Sequence, residues 1–250
     1  MLGTIVKGLR YLLLNPRYTF CYFYSRPQSL LRFVAGQPAR RFFELQEELK
    51  ADPDFVRLIR EKMRRRTQHD FVLNQDHCFL YALVRLTKPH LVLETGVFDG
   101  VFSACFLQGL LVNSRNEGTE GRLVSIDLPS YQSIRGSTDQ LVRTHLPEGC
   151  EPGWLIPEPL RKRWHLHLGD SRDLLPHVGK EVGCIDLFFH DSLHTYEHMS
   201  FEYQTVWPLL KPGAILLSHD VHWNRAFCDF VREHKQQDRV AHGFGVIRKT

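Results

Sequence analysis

Two periodicities divide the chain. Up to Leu86, apolar residues recur at helical spacing. Ile5, Val6, Leu9, Leu12 and Leu13 share one face of a helix that Pro16 ends, and further helices are predicted over 28–34, 40–50, 53–65 and 70–86. Asp52 and Pro53 supply an N-cap and a first helical residue for the helix at 53–65. Beyond this region, short apolar runs at 90–93, 122–126, 164–168, 185–189, 214–218 and 245–248 alternate with helical stretches at 101–111, 171–177, 196–210 and 224–234. Short apolar runs between helices are the pattern of βαβ units around a parallel sheet buried on both faces. The predicted class is therefore α/β, with a helical N-terminal extension at 1–66 and the sheet domain at 67–250.

Charge sharpens this division. The 250 residues carry 32 Lys+Arg against 28 Asp+Glu, a formal net charge of +4, with 43% hydrophobic and 24% charged residues. These proportions exclude a disordered or collagen-like chain, and the charge is too mild to imply a nucleic-acid partner. The first 43 residues, however, hold seven Lys/Arg, nine aromatics and no Asp or Glu. Through Arg66 there are 14 basic and 6 acidic residues, hence +8, which leaves −4 for the remainder. The six scattered cysteines, without a CxxC, read as reduced thiols of a cytosolic protein. No apolar run approaches the roughly 20 residues of a membrane span.

The candidate chemistry lies at the strand ends, where an open α/β sheet binds its ligands. The first strand runs into Glu94-Thr95-Gly96-Val97-Phe98-Asp99-Gly100. The second ends in Asp127, the third in Gly169-Asp170-Ser171, the fourth in His190-Asp191 and the fifth in His219-Asp220. Gly96 and Gly100 let backbone approach a ligand closely. The turn is not the dinucleotide G-x-G-x-x-G, and Asp127 lies 31 residues after Gly96 rather than the roughly 20 of that fingerprint. An acid there still suits two ribose hydroxyls, and Asp170 with Ser171 suits an adenine edge. Together they suggest an adenosine cofactor without a diphosphate.

From about Leu91 to Ile247 the chain resembles class I S-adenosylmethionine-dependent methyltransferases. Within that class it is similar to metal-dependent O-methyltransferases that act on sugar and natural-product hydroxyls. The segments that carry this are LVLETGVFDGVFS, LVSIDLP, WHLHLGDSRDLLP, IDLFFHDSLHTYEHMSFEY and LLKPGAILLSHDV. The resemblance implies a Rossmann-like, mostly parallel sheet of about seven strands, with S-adenosylmethionine bound by Glu94, Gly96, Phe98, Gly100, Ser103, Asp127, Asp170, Ser171 and Asp191. Ser103 stands one residue later than in catechol-type enzymes. The resemblance further implies a divalent cation of the Mg²⁺ type at Asp191, His219 and Asp220, and His194 as general base beside Asp191. Ser192 and His219 replace acids that related sugar enzymes carry, so the cation has two firm carboxylates instead of three or four.

The acceptor implied is a small molecule or glycan. A metal-independent methyltransferase and a non-catalytic adenosine binder stay open as alternatives. A nicotinamide dehydrogenase is disfavoured by the missing third glycine. His194-Thr195-Tyr196-Glu197-His198 also spells the inverted zinc-protease motif H-x-x-E-H, but it directly follows a buried parallel strand. The long connection 129–163, with Tyr131, Arg135 and Trp154, is either a lid over the acceptor or a surface loop. Three readings of residues 1–43 remain: packing on the body or on a second subunit of a homo-oligomer, covering the acceptor pocket, or peripheral contact with the inner face of a membrane.

Overall fold

A computed structural model of the chain describes residues 15–67, 69–129 and 146–250. The predicted first helix at 5–13, and Tyr131 and Arg135 of the long connection, lie outside the described residues. In chain order the elements are α1 (Pro16–Tyr24), α2 (Gln28–Ala35), α3 (Ala39–Lys50), α4 (Pro53–Arg66), α5 (Gln75–Thr87), β1 (Leu91–Thr95), α6 (Val101–Glu117), β2 (Arg122–Asp127), β3 (Trp164–Leu168), α7 (Ser171–Val182), β4 (Ile185–His190), α8 (Tyr196–Val206), β5 (Leu210–Ser218), α9 (Ala226–Glu233), β6 (Asp238–Ala241) and β7 (Phe244–Arg248). Short 3₁₀ turns cover Glu158–Arg163 and Trp207–Leu209.

The strands form one seven-stranded sheet in the order β3-β2-β1-β4-β5-β7-β6. The first five named are parallel, and β7 runs antiparallel to both β5 and β6. All five residues of β1 are buried, as a central strand covered on both faces requires. On one face, α5 and α6 share a continuous hydrophobic cluster with α2, α3 and α4: Leu31, Phe42, Leu45 and Ile59 join Phe79, Leu83 and Phe106. The opposite face, under α7, α8 and α9, buries Leu93, Phe188, Met199, Tyr203 and Phe227, and Tyr18 of α1 joins it. The described part of the extension thus completes the core of the sheet domain.

Three local expectations change. Pro16, read as the end of the helix at 5–13, which lies outside the described residues, is the first residue of a further helix, α1, because its fixed φ suits a first helical turn that needs no N–H donor. Helix α5 starts at Gln75 rather than near residue 70, since Asn74 and His77 cap each other reciprocally. The edge strand β6 is too short and too charged to show a period, and pairs with β7 across a two-residue turn at His242-Gly243. No helix among the described residues is long and apolar enough to cross a membrane.

Candidate functional site

The sheet register brings the strand ends to one rim. Thr95 pairs with both Ile126 and His190, His190 with Ser218, and Asp127 with Leu168. The polar residues that follow these strands therefore meet along one edge.

Gly96 makes this possible. Its φ is +84°, and a Cβ there would lie 2.3 Å from the Asp191 carbonyl oxygen, so no other residue lets the turn after β1 pass against the end of β4. Asp127 reaches under the same turn. Its Oδ2 accepts from the backbone N–H of Val97 at 2.8 Å and of Phe98 at 2.7 Å, and its Oδ1 from that of Leu128 at 2.7 Å. Phe98 is held at φ 50°, a costly backbone conformation for a bulky residue. Asp127 and the Gly153 N–H, which donates to the Phe98 carbonyl at 2.8 Å, hold it there. Gly100 then opens α6.

Above the turn lies a cavity of about 440 Å³, bounded by Gly96, Phe98, Asp99 and Asp191 on one side and by Met63 and Phe71 on the other. The volume is that of a small-molecule site, and its carboxylates suit a cationic ligand. Residue patterning places Met63 on the last helix of the extension and Phe71 on the predicted helix at 70–86 that leads into the sheet domain. Apolar residues at helical spacing read as core, so nothing local marked them as pocket walls.

Glu94 is fully buried. Its Oε2 accepts from the hydroxyls of Ser103 and Ser125, each at 2.7 Å, while Oε1 has no hydrogen-bond partner. Burial pushes its carboxyl up to about 8 against the pull of the two serines, so the group is protonated at neutral pH. The Ser103 hydroxyl is directed at Glu94. Asp170 caps α7 by accepting from the Arg172 N–H at 2.8 Å and stands exposed on the rim. The Ser171 hydroxyl points inward and donates to Glu202 Oε1 at 2.6 Å.

Glu202 is the residue that sequence reasoning passed over. Fully buried on α8, it accepts from Thr95 at the end of β1, from Ser171 on α7 and from Ser192 just after β4. His190 Nδ1 lies 2.7 Å from its Oε2, and His198 Nε2 lies 2.8 Å from its Oε1. Burial opposes its charge, but the two histidines hold the carboxyl well below the usual range. His198 is thereby turned away from the zinc-motif reading, and Glu197 of that motif is exposed.

At the ends of β4 and β5 stand Asp191, His194, His219 and Asp220. Their metal-capable group among the described residues is Asp191, His194 and His219, whose donor atoms lie within 4.8 Å of one another. Asp220 lies beside it, with Oδ2 3.9 Å from His219 Nδ1 and a backbone φ of 51°. His219 Nδ1 lies 3.1 Å from Asp191 Oδ1. Burial opposes a charge on His219, but Asp220 and Asp191 push its pKa up to about 10, so it carries a proton between them. Burial pulls His194 down to about 4, against Asp220 and Asp191, and leaves it neutral. Its Nε2 is buried without a hydrogen-bond partner, 3.6 Å from Asp191 Oδ1. Two imidazoles beside the Asp191 and Asp220 carboxylates make a nitrogen-rich donor set that does not fit Mg²⁺, which demands near-octahedral oxygen ligands.

A family model described as a methyltransferase domain matches residues 93–221, just over half of the chain. Solved structures share the fold. TomG, an O-methyltransferase from Streptomyces achromogenes solved with S-adenosylmethionine, is 18% identical over 80% of this chain and 91% of its own, with a TM-score of 0.52. The methyltransferase PaMTH1 from Podospora anserina, solved with S-adenosylhomocysteine, is 17% identical over 79% and 88%, at 0.53. The calicheamicin methyltransferase CalS11 is 18% identical over 87% and 96%, at 0.52. No curated protein matches the sequence. The family match runs from β1 past the end of β5 and takes in the glycine turn, Asp127, Asp170 and the β4–β5 cluster, so the chain belongs to the methyltransferase-domain family, on the Rossmann-like fold of the class I enzymes.

Proposed function

We propose that the protein transfers a methyl group from S-adenosylmethionine to a hydroxyl of a sugar, glycan or glycosylated natural product, with His194 as general base. The observation that carries this reading is the His194 imidazole. It is neutral, its Nε2 is buried without a partner at the end of β4, and it stands beside Asp191, which borders the cavity over the glycine turn. The fit to the cofactor rests on that cavity. S-adenosylmethionine bears a sulfonium and an ammonium, and Asp99 and Asp191 face the space between the glycine turn and the extension. Gly96 and Phe98 would take its methionine part, and Asp127 and Asp170 its nucleoside.

The chemistry is an in-line displacement in which the acceptor oxygen attacks the sulfonium methyl as its proton leaves. His194 Nε2 takes that proton. The carboxylates of Asp191 and Asp220 oppose its burial and stabilise the imidazolium as it forms. A Mg²⁺ ion at Asp191, His219 and Asp220 is expected from resemblance, but the imidazoles of His194 and His219 stand where this ion takes oxygen ligands, so the step is derived without a metal. The sugar acceptor comes from the resemblance of the β4 and β5 segments to sugar enzymes. CalS11, which shares the fold, is a TDP-rhamnose 3′-O-methyltransferase.

The test is a panel of hydroxylated sugars and glycosides incubated with labelled S-adenosylmethionine, with methylated products read by mass spectrometry. His194→Ala should lower kcat by about 10²-fold or more, while the binding constant for S-adenosylmethionine, from calorimetry, should stay near that of the wild type. Chelation should leave the rate in place. An undiminished rate in His194→Ala would remove the base, and a rate lost on chelation and restored by Mg²⁺ would return the metal to the mechanism.

A further inference from the structure

Helix α1 is bound to the body by one face only. Tyr18 is 1% exposed and donates its hydroxyl to Asp238 Oδ2 at 2.8 Å. Asn15, just before the helix, donates to the carbonyls of Val221 and Asn224. Tyr22 lays its ring on His222 with centroids 4.2 Å apart. These contacts fix which side of the helix turns outward.

The outward side is aromatic. Phe20, Phe23 and Tyr24, spaced i, i+3 and i+4, are 59, 67 and 75% exposed on a helix of nine residues. Phe20 and Tyr24 stack at 4.5 Å. An anchored helix that shows such a row to solvent carries the mark of an interaction surface. The segment that carries the row has charge of one sign. Arg17, on the same face, is 60% exposed although ion-paired with Asp238 at 3.3 Å, and Arg26 and Arg32 are exposed just beyond the helix. Residues 1–43 hold seven Lys/Arg and no acid, and within them Ile5, Val6, Leu9, Leu12 and Leu13 recur at helical spacing with Lys7 and Arg10 between.

We propose that α1, with the basic segment around it, docks the protein on the surface of an anionic lipid bilayer. Exposed aromatics among Lys/Arg are the side chains that partition into the headgroup boundary, and anionic lipid supplies the counter-charge that the segment lacks. A second copy of the chain fits less well, because symmetric pairing would set one acid-free basic face against another. The inner side of the helix is part of the site's surroundings. Tyr22 covers His222, whose Nδ1 lies 3.9 Å from Asp220 Oδ1, so docking would bring the β5 end of the rim close to the lipid surface. Binding of this kind does not depend on the methyl-transfer reading.

The experiment is flotation of the full chain with phosphatidylcholine vesicles and with equimolar phosphatidylcholine–phosphatidylglycerol vesicles. The wild type should float with the anionic vesicles only, less at high salt. Phe20→Ser/Phe23→Ser/Tyr24→Ser should weaken binding by about tenfold or more, and Arg26→Glu/Arg32→Glu should weaken it with the aromatics intact. Unchanged thermal melts establish that the variants are folded. No flotation of the wild type, or equal flotation of the aromatic variant, would overturn the proposal. So would a dimer in sedimentation that the aromatic variant converts to monomer without lipid, or flotation that appears only after residues 1–14 are deleted, since each assigns the face a different cover.

Discussion

Two buried glutamates lie beneath the two halves of the rim, and they have opposite charge states. Glu94, under the β1–β2 half, is held by two serines, and burial pushes it up to about 8. Glu202, under the β1–β4 half, meets two histidines and three hydroxyls and stays ionised. Both are fully buried. Burial alone therefore does not decide ionisation. Two hydroxyls leave a carboxyl neutral here, whereas two imidazoles and three hydroxyls keep one charged. The neutral acid adds no charge beneath the glycine turn. The charged one ties β1, β4, α7 and α8 into one rigid floor.

The comparison predicts unequal costs. Glu202→Ala should have the largest effect, a loss of about 3 to 5 kcal/mol in denaturant unfolding, because it strips the shared partner from His190, His198, Ser171, Ser192 and Thr95 at once. A loss below about 1 kcal/mol would show that these groups find other partners.

Glu94→Gln should act in the opposite sense. Folded Glu94 keeps its proton up to about 8, whereas the unfolded chain releases it above the ordinary value of 4.5. Between these values the folded state binds more protons, so the group's contribution to stability is complete below 4.5 and declines as pH rises to about 8. The variant should match the wild type near pH 4 and exceed it by about 3 to 5 kcal/mol near pH 8. A constant gap between the two across that range would show that Glu94 does not titrate in this way.

Glu202 predicts the mirror image. Its folded pKa is depressed, so the stability it supplies is present above 4.5 and declines as pH falls below that value. Glu202→Gln should flatten the acid limb of the stability curve and leave the alkaline limb alone. The smallest effect belongs to Ser125→Ala, at about 1 kcal/mol, since it removes one donor to Glu94 and the acceptor of the Trp164 indole N–H. It should also raise the Glu94 pKa further, shown by a steeper loss of stability between pH 7 and 8.

Much of this is legible in one dimension. Strands β1 to β5 and β7 fall where short apolar runs predict them, and the acids of the rim are visible because polar residues directly follow buried runs. What escapes has a physical reason in each case. A glutamate on α8 looks like an ordinary helix-surface residue until the fold brings four elements to it. Pro16 ends a helical pattern in the sequence, and that it also begins α1 shows only once Tyr18 packs on the body. Met63 and Phe71 become cavity walls because α4 and the segment after it lie across the glycine turn.

The amino-acid order by itself determined the α/β layering, the single glycine turn without a diphosphate cradle and the set of acids and histidines at the strand ends. These depend on periodicity and on neighbours along the chain, and both survive in the sequence. The tertiary structure decided which of these groups carry charge: His219 protonated, His194 and Glu94 neutral, Glu202 ionised. It also decided that α1 turns an aromatic row outward. Ionisation is set by desolvation and by charges and hydrogen bonds within a few ångströms, and groups such as Asp191 and His219, 28 positions apart, or Thr95 and Glu202, 107 apart, become such neighbours only when the sheet and its helices are assembled.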